Sequence, residues 1–289
     1  MKMKLAQRVV IGYYKTKLRT LELVSVSKAA EQAFKIFCTP YVRSRNTTMP
    51  ALFHNAEPLE MTLEGLRLRG FRWLPKQANG RKALVAHGFS SRSYKFEKYI
   101  QLLLRQGYEV VAFDAPAHGL SEGKTIHAIL YKRMLLAVDA RWGVFDLMLA
   151  HSLGGLATAL AITETDPQIR RKLVLIAPAT ETRSAMDGFI QLMHLSRPVS
   201  QALEDLIIQL AERPLDYFSV TRSVQQVAHP VLWIHDKGDR ICPYADTLPA
   251  QALALPHVQF HITEGLGHNR IYRDAQVVSR VQQFLQEAW

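Results

Sequence analysis

Cysteine is almost absent: the 289 residues hold two, Cys38 and Cys242, far apart in the chain. Such a pair gives no disulfide framework, and a reducing compartment, the cytoplasm, is the expected setting. Long apolar runs are missing too. None approaches the roughly 20 residues that a membrane-spanning helix needs. The first residues are basic, but Arg8 and Lys15 break the apolar stretch and no small-residue cleavage site follows, so a secretory signal is not expected. Internal repeats and low-complexity tracts are lacking, which argues against solenoids and disordered arrays. No nucleic-acid motif is present, nor a basic stripe interleaved with aromatics, so nucleic acid is not an expected partner.

Hydrophobic residues make up 48% of the chain and charged residues 21%, the balance of a globule with a large core. The net charge of +11 is uneven: the first 50 residues carry ten Lys/Arg against two acids, the remainder 26 against 23. Basic character therefore belongs to an N-terminal extension, residues 1–50. A helix is expected there over about 3–22, with Leu5, Val9 and Tyr13 on one side and Lys4, Arg8, Lys15 and Arg19 near one stripe. A second is expected over about 27–38, capped by Ser27, with Ala30, Ala33, Phe34 and Phe37 inward and Pro40 ending it. The preferred reading docks this pair on the main domain with its basic side in water. The alternative lays residues 1–45 on an anionic membrane surface, and Lys2 and Lys17, on the apolar face, count against it.

From residue 57 onward strands alternate with helices. Strands are expected as a pair over 59–75, then at 82–88, 108–114, 144–152, 172–178, 230–236 and 258–263. Helices are expected at 94–105, 124–141, 153–165, 244–253 and 270–288. Short apolar strands between helices imply an α/β domain over 57–289, a mostly parallel central sheet with helices on both faces. Functional groups in such sheets gather at the carboxyl ends of the strands. Residues 181–226 break the rhythm with helical pieces and no strand, and read as an inserted helical cap. Most of its apolar residues, Phe189, Leu192 and Leu203 among them, are expected to pack the cap onto the core.

The chemistry-bearing residues sit at strand ends. Ala150-His151-Ser152-Leu153-Gly154-Gly155 joins an apolar strand to an apolar helix, the setting of a nucleophile elbow. A neutral serine hydroxyl is a weak nucleophile and must be presented on a sharp turn beside a base. Small residues two before and two after, Ala150 and Gly154, leave room for that turn. In His87-Gly88-Phe89-Ser90, Gly88 would let the Phe89 N–H face inward, and with the Leu153 N–H it would form an oxyanion hole. Two aspartates follow the strand at 230–236. Asp239 is preferred as the acid because it lies deeper in the loop, whereas Asp236 lies closer to the strand end, where a turn aspartate is usually structural. Among the eleven histidines, His268 in Gly265-Leu266-Gly267-His268-Asn269 alone combines a loop, flanking glycines and a place after the acid. His118 reads as a turn former, and His151 as an unconstrained elbow position.

The order Ser152, Asp239, His268, the Asp114…His118-Gly119…Ser121 segment and the two Gly-bearing turns resemble the α/β-hydrolase superfamily, near its lysophospholipase and monoacylglycerol-lipase-like members. The resemblance covers residues 57–289; Ala150 stands where glycine is usual. It implies a serine esterase with Ser152 as nucleophile, His268 as base, Asp239 as acid, and the Phe89 and Leu153 N–H groups at the oxyanion. No metal or organic cofactor is required, and the partner is a small-molecule or lipid-like acyl substrate. Thioester or carbon–carbon cleavage on the same fold, and a non-catalytic binding protein on a hydrolase scaffold, are the alternatives.

Overall fold

The computed structural model describes residues 5–41 and 48–287. Lys2, Lys4 and Ala288, named in the readings above, lie outside the described residues. The chain divides into two compact units, one made of the chain up to Thr39 with Thr182–Tyr217, the other of Pro40–Glu181 with the chain from Phe218.

The first unit is helical. It holds α1 (Leu5–Val24), α2 (Val26–Phe37) and, from after the sixth strand, α7 (Thr182–Met193) and α8 (Arg197–Ala211). Small residues on one face of α2, Ala29, Ala30 and Ala33, let it lie close along α8, which buries Val199, Leu203 and Ile207. The Phe37 and Phe189 rings meet at 5.1 Å, and the Ser196 hydroxyl donates to the Glu22 carboxylate. The N-terminal helices thus share a core with the inserted helices, a grouping that separate segments at 1–50 and 181–226 did not anticipate. Ser25, not Ser27, caps α2: its hydroxyl accepts from Lys28 N, since its extended backbone (φ −164°) precedes the first helical residue.

The second unit carries one sheet. After the short α3 (Ala51–His54) come β1 (Glu57–Leu63), β2 (Leu66–Trp73), β3 (Lys82–Ala86), α4 (Glu97–Arg105), β4 (Glu109–Phe113), α5 (Ala128–Trp142), β5 (Leu147–His151), α6 (Leu153–Ile162) and β6 (Lys172–Ile176). α9 (Val220–Gln225), β7 (Val231–Asp236), α10 (Leu248–Ala252), β8 (Val258–Thr263), α11 (Gly267–Arg270) and α12 (Ala275–Gln286) complete it. The strand order is β1-β2-β4-β3-β5-β6-β7-β8, antiparallel at β1–β2 and β2–β4 and parallel elsewhere. Every residue of β5, β6 and β7 is buried, as continuous apolar strands covered on both faces require. Along the strands alternate residues serve opposite layers. Val85, Leu149, Val174 and Ile234 join a cluster with Tyr99, Leu103, Val277 and Phe284 of α4 and α12. α6 packs against β3, β5, α5 and α9. Strand order turns back between β3 and β5, so a crevice opens at their carboxyl ends.

Boundaries moved where side chains cap unexpectedly. α5 starts at Ala128 with His127 Nδ1 accepting from Leu130 N, and α12 starts at Ala275 under Asp274, leaving 267–273 as separate helical turns. Buried polar groups are tied down. Lys172 Nζ donates to the Phe284 and Glu287 carbonyls at the end of α12. Arg171, almost fully buried, grips Asp139 bidentately at 2.7 and 2.8 Å. Removing the acid strands that guanidinium. Asp139→Ala should lower the free energy of urea unfolding by about 3 kcal/mol; a loss under about 1 kcal/mol would mean the ion pair is not what holds α5 to this sheet edge.

Candidate active site

Ser152 sits between β5 and α6 with φ 54° and ψ −125°, a backbone region that L-residues avoid at a cost of about 1–3 kcal/mol. The strain is held by neighbours on both sides: Ser152 N donates to Ile176 O at 3.2 Å, and Ala179 N donates to Ser152 O at 3.0 Å. The turn works only because side chains are missing around it. A Cβ on Gly154 would lie 2.5 Å from His87 O, and one on Gly88 2.8 Å from Ser152 Cβ. Ala150 is fully buried, in register between Ala86 and Leu175. The β3 turn and the elbow are therefore in direct backbone contact at the crevice.

His268, on α11, reaches this serine. Its Nε2 is 3.0 Å from Ser152 Oγ and its Nδ1 is 2.7 Å from Asp239 Oδ2. All three residues are buried. Asp239 Oδ1 accepts the Ile241 and Cys242 N–H groups at 2.8 and 2.9 Å, leaving Oδ2 for the imidazole. A carboxylate on Nδ1 keeps the proton there and turns the Nε2 lone pair to the hydroxyl. Asp236 is committed elsewhere: it accepts from Gly238 N, Thr263 Oγ1 and Leu266 N at 2.8–2.9 Å. Burial alone would raise its pKa, but the hydrogen bonds from Gly267, Leu266, Thr263 and Gly238 outweigh that and hold it below the ordinary carboxylate value. Among the described residues, the Phe89 and Leu153 N–H groups donate to no protein acceptor. The structure thus brings together every site residue named from the sequence: Ser152, His268 and Asp239 through hydrogen bonds, Leu153 next to the serine, and Phe89 beside the Gly88 contact.

Residues 78–217 match the family described as serine aminopeptidase, S33, a stretch that holds β3 and the elbow but ends before Asp239 and His268. An uncharacterised hydrolase of Bacillus subtilis is 32% identical over 108 residues, spanning 35% of this chain and 38% of that protein. The pimeloyl-[acyl-carrier protein] methyl ester esterase of Xanthomonas axonopodis is 26% identical over 245 residues, 71% of this chain and 94% of the relative. The Pyrococcus furiosus esterase Pf2001 superposes with a TM-score of 0.63 at 19% identity, covering 86% of this chain and 97% of its own. The chain has the α/β-hydrolase fold.

Two further residues, His151 and His235, support the site from behind. His151 Nε2 donates to the His268 carbonyl at 3.2 Å, and its ring lies 4.7 Å from that of His268 and 4.6 Å from that of Tyr272. His151 is thus not an unconstrained elbow position: its imidazole backs the loop that carries His268. His235, at the end of β7, donates Nε2–H to the Cys242 carbonyl at 2.9 Å and so fixes the turn whose N–H groups grip Asp239. Two more histidines join the turn after β3 to the segment after β4. His87 Nε2 accepts from Ala115 N and His118 Nε2 accepts from Ser90 N, each at 2.9 Å. His118 is the turn former expected of it: its Nδ1 donates to Pro116 O.

Burial depresses the pKa of His87, His151 and His235, for a charged imidazole there would lose its water. The sign follows by linkage. An unfolded histidine takes up a proton near pH 6.5 while these stay neutral, so stability declines as pH falls below that value. Urea melts at pH 7.5 and 5 should show the native state weakening by as much as about 1.4 kcal/mol per unit and histidine, with a shallower slope in His151→Gln. Equal stability at both values would refute this account. The depressed carboxylate of Asp236 titrates below this window and does not obscure it.

Proposed function

We propose that this α/β hydrolase cleaves a carboxylic ester through an acyl-enzyme on Ser152. The observation that carries the reading is the unbroken line Asp239 Oδ2–His268 Nδ1, 2.7 Å, and His268 Nε2–Ser152 Oγ, 3.0 Å. In this mechanism Ser152 Oγ attacks the ester carbonyl as its proton passes to His268 Nε2. Asp239 stabilises the imidazolium that forms. The Phe89 and Leu153 N–H groups receive the oxyanion; a donor of this kind contributes about 3 kcal/mol to the transition state. His268 then protonates the leaving alcohol, and a water activated by the same histidine releases the acid and restores the serine.

An ester is favoured because relatives matched over nearly their whole length carry that activity in their names, the methyl ester esterase and the Pyrococcus esterase. A thioester is the second reading, supported by the thioesterase domain from the curacin pathway, which shares the fold with a TM-score of 0.56. p-Nitrophenyl esters of graded chain length, acyl-CoA thioesters, an aminoacyl p-nitroanilide and a diketone, offered to the same preparation, rank the reactions. The ester series also tests the lipid-like acyl preference that the monoacylglycerol-lipase resemblance implies. Ser152→Ala should lower kcat on the best of them by roughly 10⁴-fold or more, and Asp239→Asn by a factor on the order of 10⁴. Wild-type turnover in Ser152→Ala refutes the nucleophile. A fluorophosphonate that never labels Ser152 would favour a binding protein on this scaffold.

A further inference from the structure

Helix α1 presents an apolar face to water. Leu5, Val9 and Tyr13 are 75, 64 and 62% exposed. At 3.6 residues per turn these positions fall on one stripe. Thr16 and Thr20 continue it, their hydroxyls already donating to the Gly12 and Thr16 carbonyls, and exposed Leu23 and Val24 end it. The other side of the helix is its inward side, where Leu18 is buried and Ile11, Tyr14 and Leu21 are half-buried. Exposed apolar side chains at both ends of this stripe, on a helix that already has a packed side, need a second partner.

Charge says which partner. Arg8, Lys15 and Arg19 run along one edge of the stripe and Lys17 along the other. None of the four forms a salt bridge among the described residues. The only acid in α1, Glu22, is engaged by Ser196. Over the first 50 residues ten cations face two acids. A second copy of the same helix would set like charge on like charge. We propose that this face of α1 docks on an anionic phospholipid surface, its apolar stripe at the level of the upper acyl chains and its cations on the headgroup phosphates. Tyr13, with an apolar ring and a polar tip, suits the interface. The stem of Lys17 can lie along the stripe while its ammonium reaches the headgroups, which removes the objection that this residue raised. Leu5, Val9 and Tyr13, which the sequence places on one side of the helix, are exposed along that side.

Flotation of the full chain with vesicles decides the matter, comparing phosphatidylcholine alone with phosphatidylcholine plus phosphatidylglycerol. The anionic vesicles should bind at least about tenfold more protein, and high salt should reduce the excess. Val9→Asp with Tyr13→Asp should abolish flotation, and Arg8→Gln with Arg19→Gln should weaken it several-fold. These positions are exposed, so an unchanged helical circular dichroism and melting temperature accompany the loss. Equal binding to both vesicles, no binding to either, or undiminished binding by the double aspartate variant overturns the proposal. So does a wild-type dimer in light scattering that this variant dissociates, which would make a second copy the occupant.

Discussion

One close approach governs the sheet unit: the β3 turn at Gly88 lies against the elbow at Ser152, with no room for a Cβ on Gly88 or Gly154. The sheet enforces it. β3 and β5 are hydrogen-bonded neighbours in parallel register, Ala86 opposite Ala150, so both chains leave the sheet at the same level and side by side. The serine's strained φ of 54° is the consequence, for the chain must turn at once from β5 into α6. Among the described residues, the N–H groups of Phe89 and Leu153, one on each turn, donate to no protein acceptor.

Asp239 and His268 arrive on separate loops, and each loop is fastened by an imidazole from a central strand. His151 holds the His268 carbonyl and His235 the Cys242 carbonyl. A lysine in either place would bring a charge that burial opposes. A neutral imidazole supplies the donor without one, and desolvation keeps it neutral. The cost is the nitrogen left over: Nδ1 of both rings is buried without a partner. Packing limits the damage, for His151 is enclosed by the His268, Tyr272 and Phe96 rings.

Much of this was legible in the sequence, for local reasons. β8 begins and ends where alternation and turn residues place it, at 258 and 263, and the central strands are unmistakable because a strand buried on both faces is written as an uninterrupted apolar run. The elbow and the histidine loop announce themselves through glycines, whose absence of a side chain is the function. What was not legible is non-local. Nothing near residue 151 tells that its imidazole meets a carbonyl 117 positions away. Nothing in α2 tells that Ala29, Ala30 and Ala33 will face α8 rather than the sheet domain. Ser25 and Ser27 are both capping residue types, and only the extended backbone at Ser25 distinguishes them.

The two aspartates of the β7 loop show how such ambiguities are resolved by counting lone pairs. Both lie after the same strand, both are buried, and both accept backbone N–H groups. Asp236 has each oxygen engaged, Oδ1 by Gly238 and Oδ2 by Thr263 and Leu266, so nothing remains in the direction of the serine. Asp239 receives both of its backbone donors on Oδ1, which leaves Oδ2 open. The carboxylate whose donors crowd onto one oxygen is the one that can orient a histidine. The carboxylate whose donors are shared between both oxygens closes the loop and holds it still. The 236–242 loop therefore divides labour between a structural acid that makes its shape permanent and a second acid that this shape exposes to His268. The division follows from where the N–H groups point, because two aspartates of like burial and like chemistry differ here in little else.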